Sequence, residues 1–497
     1  MTLAGLIVVP LAGALLTALV GRRVPLARAV ALVSALGTAG LAAAAWSEYA
    51  QTGERMAFDI PMIGAGAFFR LAADGLALPL VALTAVLGVM AVLTGWNAER
   101  AGGHLALLLG LEAAVMGVFL AADLVLFYVA WEAVLIPMFF LIGGWGHENR
   151  RYAAMKFFIY TFAGSALMLV GLVLLILWSG GTAIVDTPGA LAGSEHLVFW
   201  LLAAGFLVKV PVVPLHTWLP DAHVEAPTAG SIMLAGVLLK MGGYGMMRLC
   251  APYTPGAMAD AAWVLAVLGV AGIVYGAVMA LGQSDLKRLV AYSSVAHMGF
   301  VVLGISAGSE LGYQGAMLGM VSHGLVAGLL FFLVGALYDR AHTREMAAFG
   351  GLGRTMPRWA TVFVFASLAS LGLPGLSGFP GEFAAVVSSF GTFGWPIVVA
   401  GVGVVLAGAY TLRAVRAVVH GEPAGSAGIE GVDAHGATHD LAGSAHGPAW
   451  PDLDLREYLV AVPLVVLIVA LGLWPRLVTD IASATLQALA FLSGTVS

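Results

Sequence analysis

Four ionisable side chains stand well inside long apolar stretches: Glu132 in FYVAWEAVLIPMFF, Lys209 in AAGFLVKVPVVPLHTWLP, Lys240 in MLAGVLLKMGGYGMM and Glu382 in SLGLPGLSGFPGEFAAVVSSF. A charge near a bilayer centre costs about 3 kcal/mol, so such residues persist where they pair or line a wet path. Carboxylates and amines in that setting point to proton transfer. Two more candidates share the pattern, His323 in GMVSHGLVAGLLFF and Glu112 in LLLGLEAAVMG. An imidazole takes up one proton and releases another near neutral pH, which suits His323 to a relay. His297, in YSSVAHMGF, divides evenly between packing and relay. His216 and His223, in PLHTWLPDAHVEAP, read as part of a loop and entry region with Asp221 and Glu225.

These residues need elements to hold them in lipid. The chain of 497 residues is 61% hydrophobic before 65 glycines are counted, and only 10% charged. Too few charges are present to coat a water-facing surface, since soluble domains carry ~25%. A net charge of −5 argues against nucleic acid. The single Cys250 permits no internal disulfide and no thiolate-held redox centre. Spanning a hydrocarbon core of ~30 Å takes ~20 apolar residues. Runs of that kind fall near 2–20, 27–46, 75–95, 104–121, 123–146, 153–178, 197–219, 226–249, 259–281, 288–307, 311–338, 357–390, 395–419 and 457–478. We number them passes 1 to 14. None alternates polar and apolar residues as a β-barrel would, so the fold class expected is an all-α polytopic membrane protein. Pass 1 is followed, not preceded, by Arg22, Arg23 and Arg28, unlike a secretory signal.

Loops after odd passes hold sixteen of the 22 lysines and arginines, which predicts that they face the cytoplasm and both termini the outside. The resulting division is 1–103 for passes 1–3, 104–249 for passes 4–8, 259–419 for passes 9–13, a polar cytoplasmic linker at 420–456, and 457–497 for pass 14 and a tail. The linker's His435, His439 and His446 have nothing rigid to make them a metal site. Pro211 and Pro214 interrupt pass 7 beside Lys209, and Pro374 and Pro380 interrupt pass 12 before Glu382. Each proline removes the donor for the carbonyl four residues earlier, freeing Leu207, Val210, Ser370 and Leu376. Free carbonyls at membrane depth need protein or water. The two breaks lie five passes apart, which predicts two five-helix repeats inverted in the membrane, an architecture of ion transporters.

The stretches KVPVVPLHTWLPDAHVEAPTAGSIMLAGVLLKMGGYGMMR, FYVAWEAVLIPMFFLIGGWGHENRRYAAMKFFIYTFAGSALML, SDLKRLVAYSSVAHMGF and LGLPGLSGFPGEF resemble the antiporter-like membrane subunits of respiratory complex I and of multisubunit sodium/proton antiporters. The resemblance extends over nearly the whole chain. It is nearest to the NADH–quinone oxidoreductase subunit M family, which carries a glutamate, not a lysine, on the broken twelfth pass, as Glu382 does here. The family's proton-path residues match Glu132, Lys209 and Lys240, and its fourth-pass glutamate and eleventh-pass histidine match Glu112 and His323. The linker is longer than the family pattern, and no long lateral helix follows pass 14.

The resemblance implies a bacterial inner-membrane subunit that moves protons when quinone is reduced elsewhere in a complex, between L-type and N-type antiporter-like neighbours. NADH, flavin, iron–sulfur clusters and quinone are then expected on other subunits, with no cofactor and no metal bound by this chain. The expected switch is the pair Glu132 and Lys209, each stabilising the other's charge when close. Protons would enter near pass 8, reach Lys240, pass His323 with bridging water and leave from Glu382. The alternatives are a sodium/proton antiporter subunit, the pumping arm of a membrane-bound hydrogenase, an intramembrane protease, for which no HExxH is present, and an inert scaffold, which would not need four buried ionisables.

Overall fold

The computed structural model describes the chain except residues 62–67, 187, 421–430, 433–437, 440–449, 493 and 495–497. The linker's His435 and His446, and the side chain of His439, lie outside the described residues. Among the described residues, twelve helices are long and apolar enough to cross a membrane. The two passes expected to be discontinuous are not among them, because each is a pair of short helices. Pass 7 is Glu195–Lys209 followed by Trp218–Glu225. Pass 12 is Pro357–Ser370 followed by Gly378–Phe393, and the turn between holds Gly372 and Gly375 at φ +78° and +93°. Those angles favour glycine, which has no Cβ to clash. The expected free carbonyls are partly re-used by the turns. Leu207 accepts from the Val212 amide at 3.1 Å and Leu376 from Phe379 at 3.3 Å, so these two do not wait for water.

Pass 8, Thr228–Tyr253, and pass 11, Glu310–Ala341, form the centre, 100% and 94% buried over their apolar windows, whereas the first two helices and the last are about a third buried. Helices in lipid gain nothing from hiding apolar side chains from one another, so close backbone approach at small residues has to hold them. A Cβ on Gly324 of pass 11 would stand 2.7 Å from the Gly236 carbonyl of pass 8. One on Gly381 of pass 12 would stand 2.5 Å from the Gly319 amide of pass 11. Passes 8, 11 and 12 are thus pinned in a row by glycine.

Contacts between loops sort by parity. Arg28 donates to the Trp96 carbonyl at 2.7 Å, Arg100 to Gly144 at 3.0 Å, and the Arg358 amide to Asp452 at 2.8 Å, joining loops after odd passes. Arg55 pairs with Asp186 at 2.8 Å and the Ala257 amide meets Glu195 at 3.3 Å, joining loops after even passes. The loop before pass 3 is an antiparallel hairpin of β1, Met56–Pro61, and β2, Phe68–Ala73. The stretch expected to be a tail is instead a helix, Arg476–Leu492, whose 17 residues fall short of the ~20 a span takes, burying Val478, Ala482, Leu486 and Leu489 along one side.

Candidate proton path

Lys240 sits just after a π-helical turn, Leu234–Leu238. A π-turn displaces the usual i to i−4 bonding, and here the Ala235 carbonyl accepts from Lys240 Nζ. The same nitrogen meets His323 Nδ1 at 2.6 Å. Both residues are buried. With the amine donating, Nδ1 is the acceptor and the ring proton stands on Nε2, which has no partner in the protein. The His323 and His297 rings lie 5.7 Å apart. His297 Nδ1 donates to Glu382 Oε1 at 2.6 Å, and Ser370 Oγ donates to His297 Nε2 at 3.1 Å. A cavity of about 20 Å³ lies between, lined by Ser293, His297, Ser322, His323, Ser370 and Glu382. One water needs ~10–15 Å³ and two to four polar partners, so a single water fits. Three expected residues, Lys240, His323 and Glu382, are brought into one line. The link that sequence reasoning left undecided, His297, joins them.

Glu132 and Lys209 are arranged differently. Among the described residues no ion pair within 4.0 Å joins them. Lys209 Nζ, fully buried, has no hydrogen-bond partner and stands 5.6 Å from the Trp131 ring centroid and 5.4 Å from Phe157. Aromatic faces attract cations, by about 2 kcal/mol or more when desolvated. Glu132 Oε1 is buried and unpartnered, with Tyr128 beside the residue. Pass 5, Leu124–Trp145, runs on through this point, with only a local irregularity at Val134, whose backbone stays helical, and Pro137 just beyond. Lys209 therefore ends the first half of pass 7, Glu132 stands within pass 5, and the pair is open in this structure.

Glu112 stays apart from both groups. Its carboxyl is buried against Gly88 of pass 3, where a Cβ would come within 2.5 Å of Oε1, and neither oxygen has a partner. His223 is not in a loop but in the second half of pass 7, fully buried, stacked on Phe331 at 4.4 Å with both nitrogens unpartnered. His216 packs edge-on to Tyr275 at 5.0 Å. Beside Glu225 a cavity of about 440 Å³ opens to the arginine-rich end.

Residues 121–407, which hold every one of these side chains except Glu112, match the family model described as NADH:quinone oxidoreductase/Mrp antiporter, TM. NADH-quinone oxidoreductase subunit M of Rhodobacter capsulatus is 44% identical over 432 residues, 84% of this chain and 81% of that protein. The chain belongs to the subunit M family. The subunit M of Escherichia coli K12 is 42% identical, covering 85% of this chain and 83% of that one. A chain of respiratory complex I from Thermus thermophilus superposes with a TM-score of 0.86 at 28% identity, over 99% of this chain and all of that one. A chain of the Mrp complex from Dietzia reaches 0.85 at 21% identity over 99% of each chain, which shows the shared fold alone. The fold is thus common to oxidoreductase and antiporter assemblies, and sequence identity is what places the chain in the subunit M family.

Proposed function

We infer that this chain is the M-type membrane-arm subunit of a respiratory NADH–quinone oxidoreductase and that it translocates protons along Lys240, His323, His297 and Glu382. The observation that carries the path is the run of contacts from Lys240 to Glu382, broken only by a cavity sized for one water. Lys240 passes a proton to His323 Nδ1, Nε2–H hands one to the cavity, and His297 carries it to the Glu382 carboxylate. In the reading proposed here, protons enter from the cavity beside Glu225 through the neighbourhood of His223.

The switch is Glu132 with Lys209. When they close, each favours the other's ionised form; when the amine swings back to Trp131 and Phe157, that mutual support is lost. Quinone reduction on another subunit supplies the displacement. Passes 4–8 and 9–13 act as inverted repeats of a fourteen-pass bundle in a bacterial inner membrane, with both termini outside. L-type and N-type subunits flank it, and nicotinamide, flavin, iron–sulfur clusters and quinone are held by other subunits. Replacing Glu132 with Gln or Lys209 with Ala abolishes NADH-driven proton uptake into vesicles holding the whole complex. Near-normal uptake by an assembled variant rejects the switch.

A further inference from the structure

Pass 8 carries a second run of polar side chains beyond Lys240. Tyr244 and Arg248 follow at intervals of four and share its face. The three residues span about 12 Å along the helix at ~1.5 Å per residue, heading for the end where the hairpin and Asp186 lie. All three are buried. If protons visit Lys240, as the proposed function requires, this run is the short way out, bypassing His323 and Glu382.

The bonding along it leads nowhere. Tyr244 Oη donates to the Phe119 carbonyl at 2.9 Å and accepts from Arg248 Nε at 3.1 Å. Arg248 donates to Asp74 Oδ1 at 2.6 Å and pairs with Asp186 at 3.6 Å. Asp74 Oδ1 also accepts from the amides of Leu76 and Ala77. A proton moves along a chain only through groups that both accept and donate. A guanidinium has donors and no acceptor and does not give up its proton. Pass 8 has a π-helical turn at Met246–Cys250, around Arg248. We propose that Arg248 is an insulating residue: it closes a direct route from Lys240 to the outer surface and so confines protons to the path through His323 and Glu382. Asp74, buried beside β2, positions it.

The test is passive proton leak in sealed vesicles holding the whole complex, driven by a potassium diffusion potential without NADH. Arg248→Gln, whose side chain can both donate and accept, is expected to raise the leak several-fold while NADH oxidation continues, so that the steady pH gradient falls. Asp74→Asn keeps the guanidinium and an accepting oxygen beside it, and is expected to leave the leak at the wild-type rate. Unchanged leak in Arg248→Gln at wild-type subunit content overturns the proposal. So does equal leak in Arg248→Gln and Asp74→Asn, because the pair is then only a brace. Should Arg248→Gln fail to assemble, Arg248→His, which can also take up one proton and release another, is read by the same two criteria. Failure of the main path is distinguishable, since it abolishes uptake without raising passive leak.

Discussion

Lys240 and His323 meet nitrogen to nitrogen at 2.6 Å, from helices whose backbones touch at Gly236 and Gly324. The contact belongs to the crossing as much as to the two side chains. Gly324 is the residue directly after His323, and its missing side chain is what lets the imidazole reach pass 8. Gly324→Ala is expected to cost about 1–3 kcal/mol through overpacking. It should also lengthen the Lys240 to His323 contact, so proton uptake should fall further than subunit content. A variant that pumps in proportion to its content would show that the crossing does not set the relay.

His297 is expected to matter as much as either end of the line. His297→Gln keeps a hydrogen bond to Glu382 and Ser370 but cannot be protonated near neutral pH. General acid–base transfer by a positioned side chain contributes ~10²–10⁴-fold, so uptake should drop by at least about tenfold with assembly unchanged. Normal pumping would mean that water alone bridges His323 and Glu382.

Trp131, next to Glu132 in the chain, presents its ring to the Lys209 amine at 5.6 Å. Removing that face in Trp131→Leu should shift the pair towards closure by roughly tenfold, as about 1.4 kcal/mol of cation–π attraction is lost. Uptake should slow while the complex assembles. The chemical distinction is rescue by Trp131→Tyr, which restores an aromatic face of smaller volume. Equal defects in the two variants would assign Trp131 to packing.

Much of this site was legible in the sequence because lipid punishes charge and broken helices so heavily. Glu132, Lys209, Lys240 and Glu382 stood out by depth, and Pro211, Pro214 and Pro374 marked the turns. His297 did not, because a lone histidine beside serines in a span has the same local signature whether it packs or relays. Its role depends on the partner 85 residues away, Glu382. The π-turn before Lys240 was invisible too: LAGVL contains no proline, and its Gly236 meets pass 11 only in the folded chain. The helix at Arg476–Leu492 was missed because its 17 residues, with Arg476 and Asp480 near the start, are too short a run to read as a span.

At the arginine-rich end, His147 lies in the turn before pass 6, edge-on to Tyr338 at 4.7 Å. Burial, with the charges of Lys287 and Arg344, pushes its imidazole down to about 3 from an ordinary 6.5. Between those values the opened turn binds a proton that the folded turn does not. The stabilisation is therefore complete above about pH 6.5 and is lost as pH falls towards 3. Amide hydrogen exchange around 146–150, corrected for its intrinsic pH dependence, should show opening that grows from pH 7 to pH 5. His147→Phe should remove that growth. The Asp74 carboxyl works at lower pH: burial raises its pKa, but Arg248, the Ala77 amide and Arg55 together outweigh burial and hold it below the ordinary 3.8. Its contribution is present above that value and fails only as pH drops through the folded one. Acid loosening between pH 7 and 5 should thus appear at the His147 turn and not at the hairpin end.

Glu382 separates a charge requirement from an assembly requirement. Its carboxylate accepts from His297 Nδ1 and its side chain is 16% exposed, with Oε2 over Gly372, where even a Cβ would come within 3.1 Å. In Glu382→Lys, the imidazole can reverse its tautomer, accept from the ammonium at Nδ1 and donate from Nε2 to Ser370. No buried group is left orphaned, so the subunit should enter the membrane arm at wild-type content. Proton uptake should nevertheless fall, because the last acceptor of the line has become a cation that repels a protonated His297. Glu382→Gln, neutral and of the same shape, should lose uptake without perturbing the turn at Gly372. Subunit content by blotting and uptake by a pH-sensitive dye decide it. A missing subunit in Glu382→Lys would contradict the tautomer argument, and full uptake in Glu382→Gln would remove Glu382 from the path.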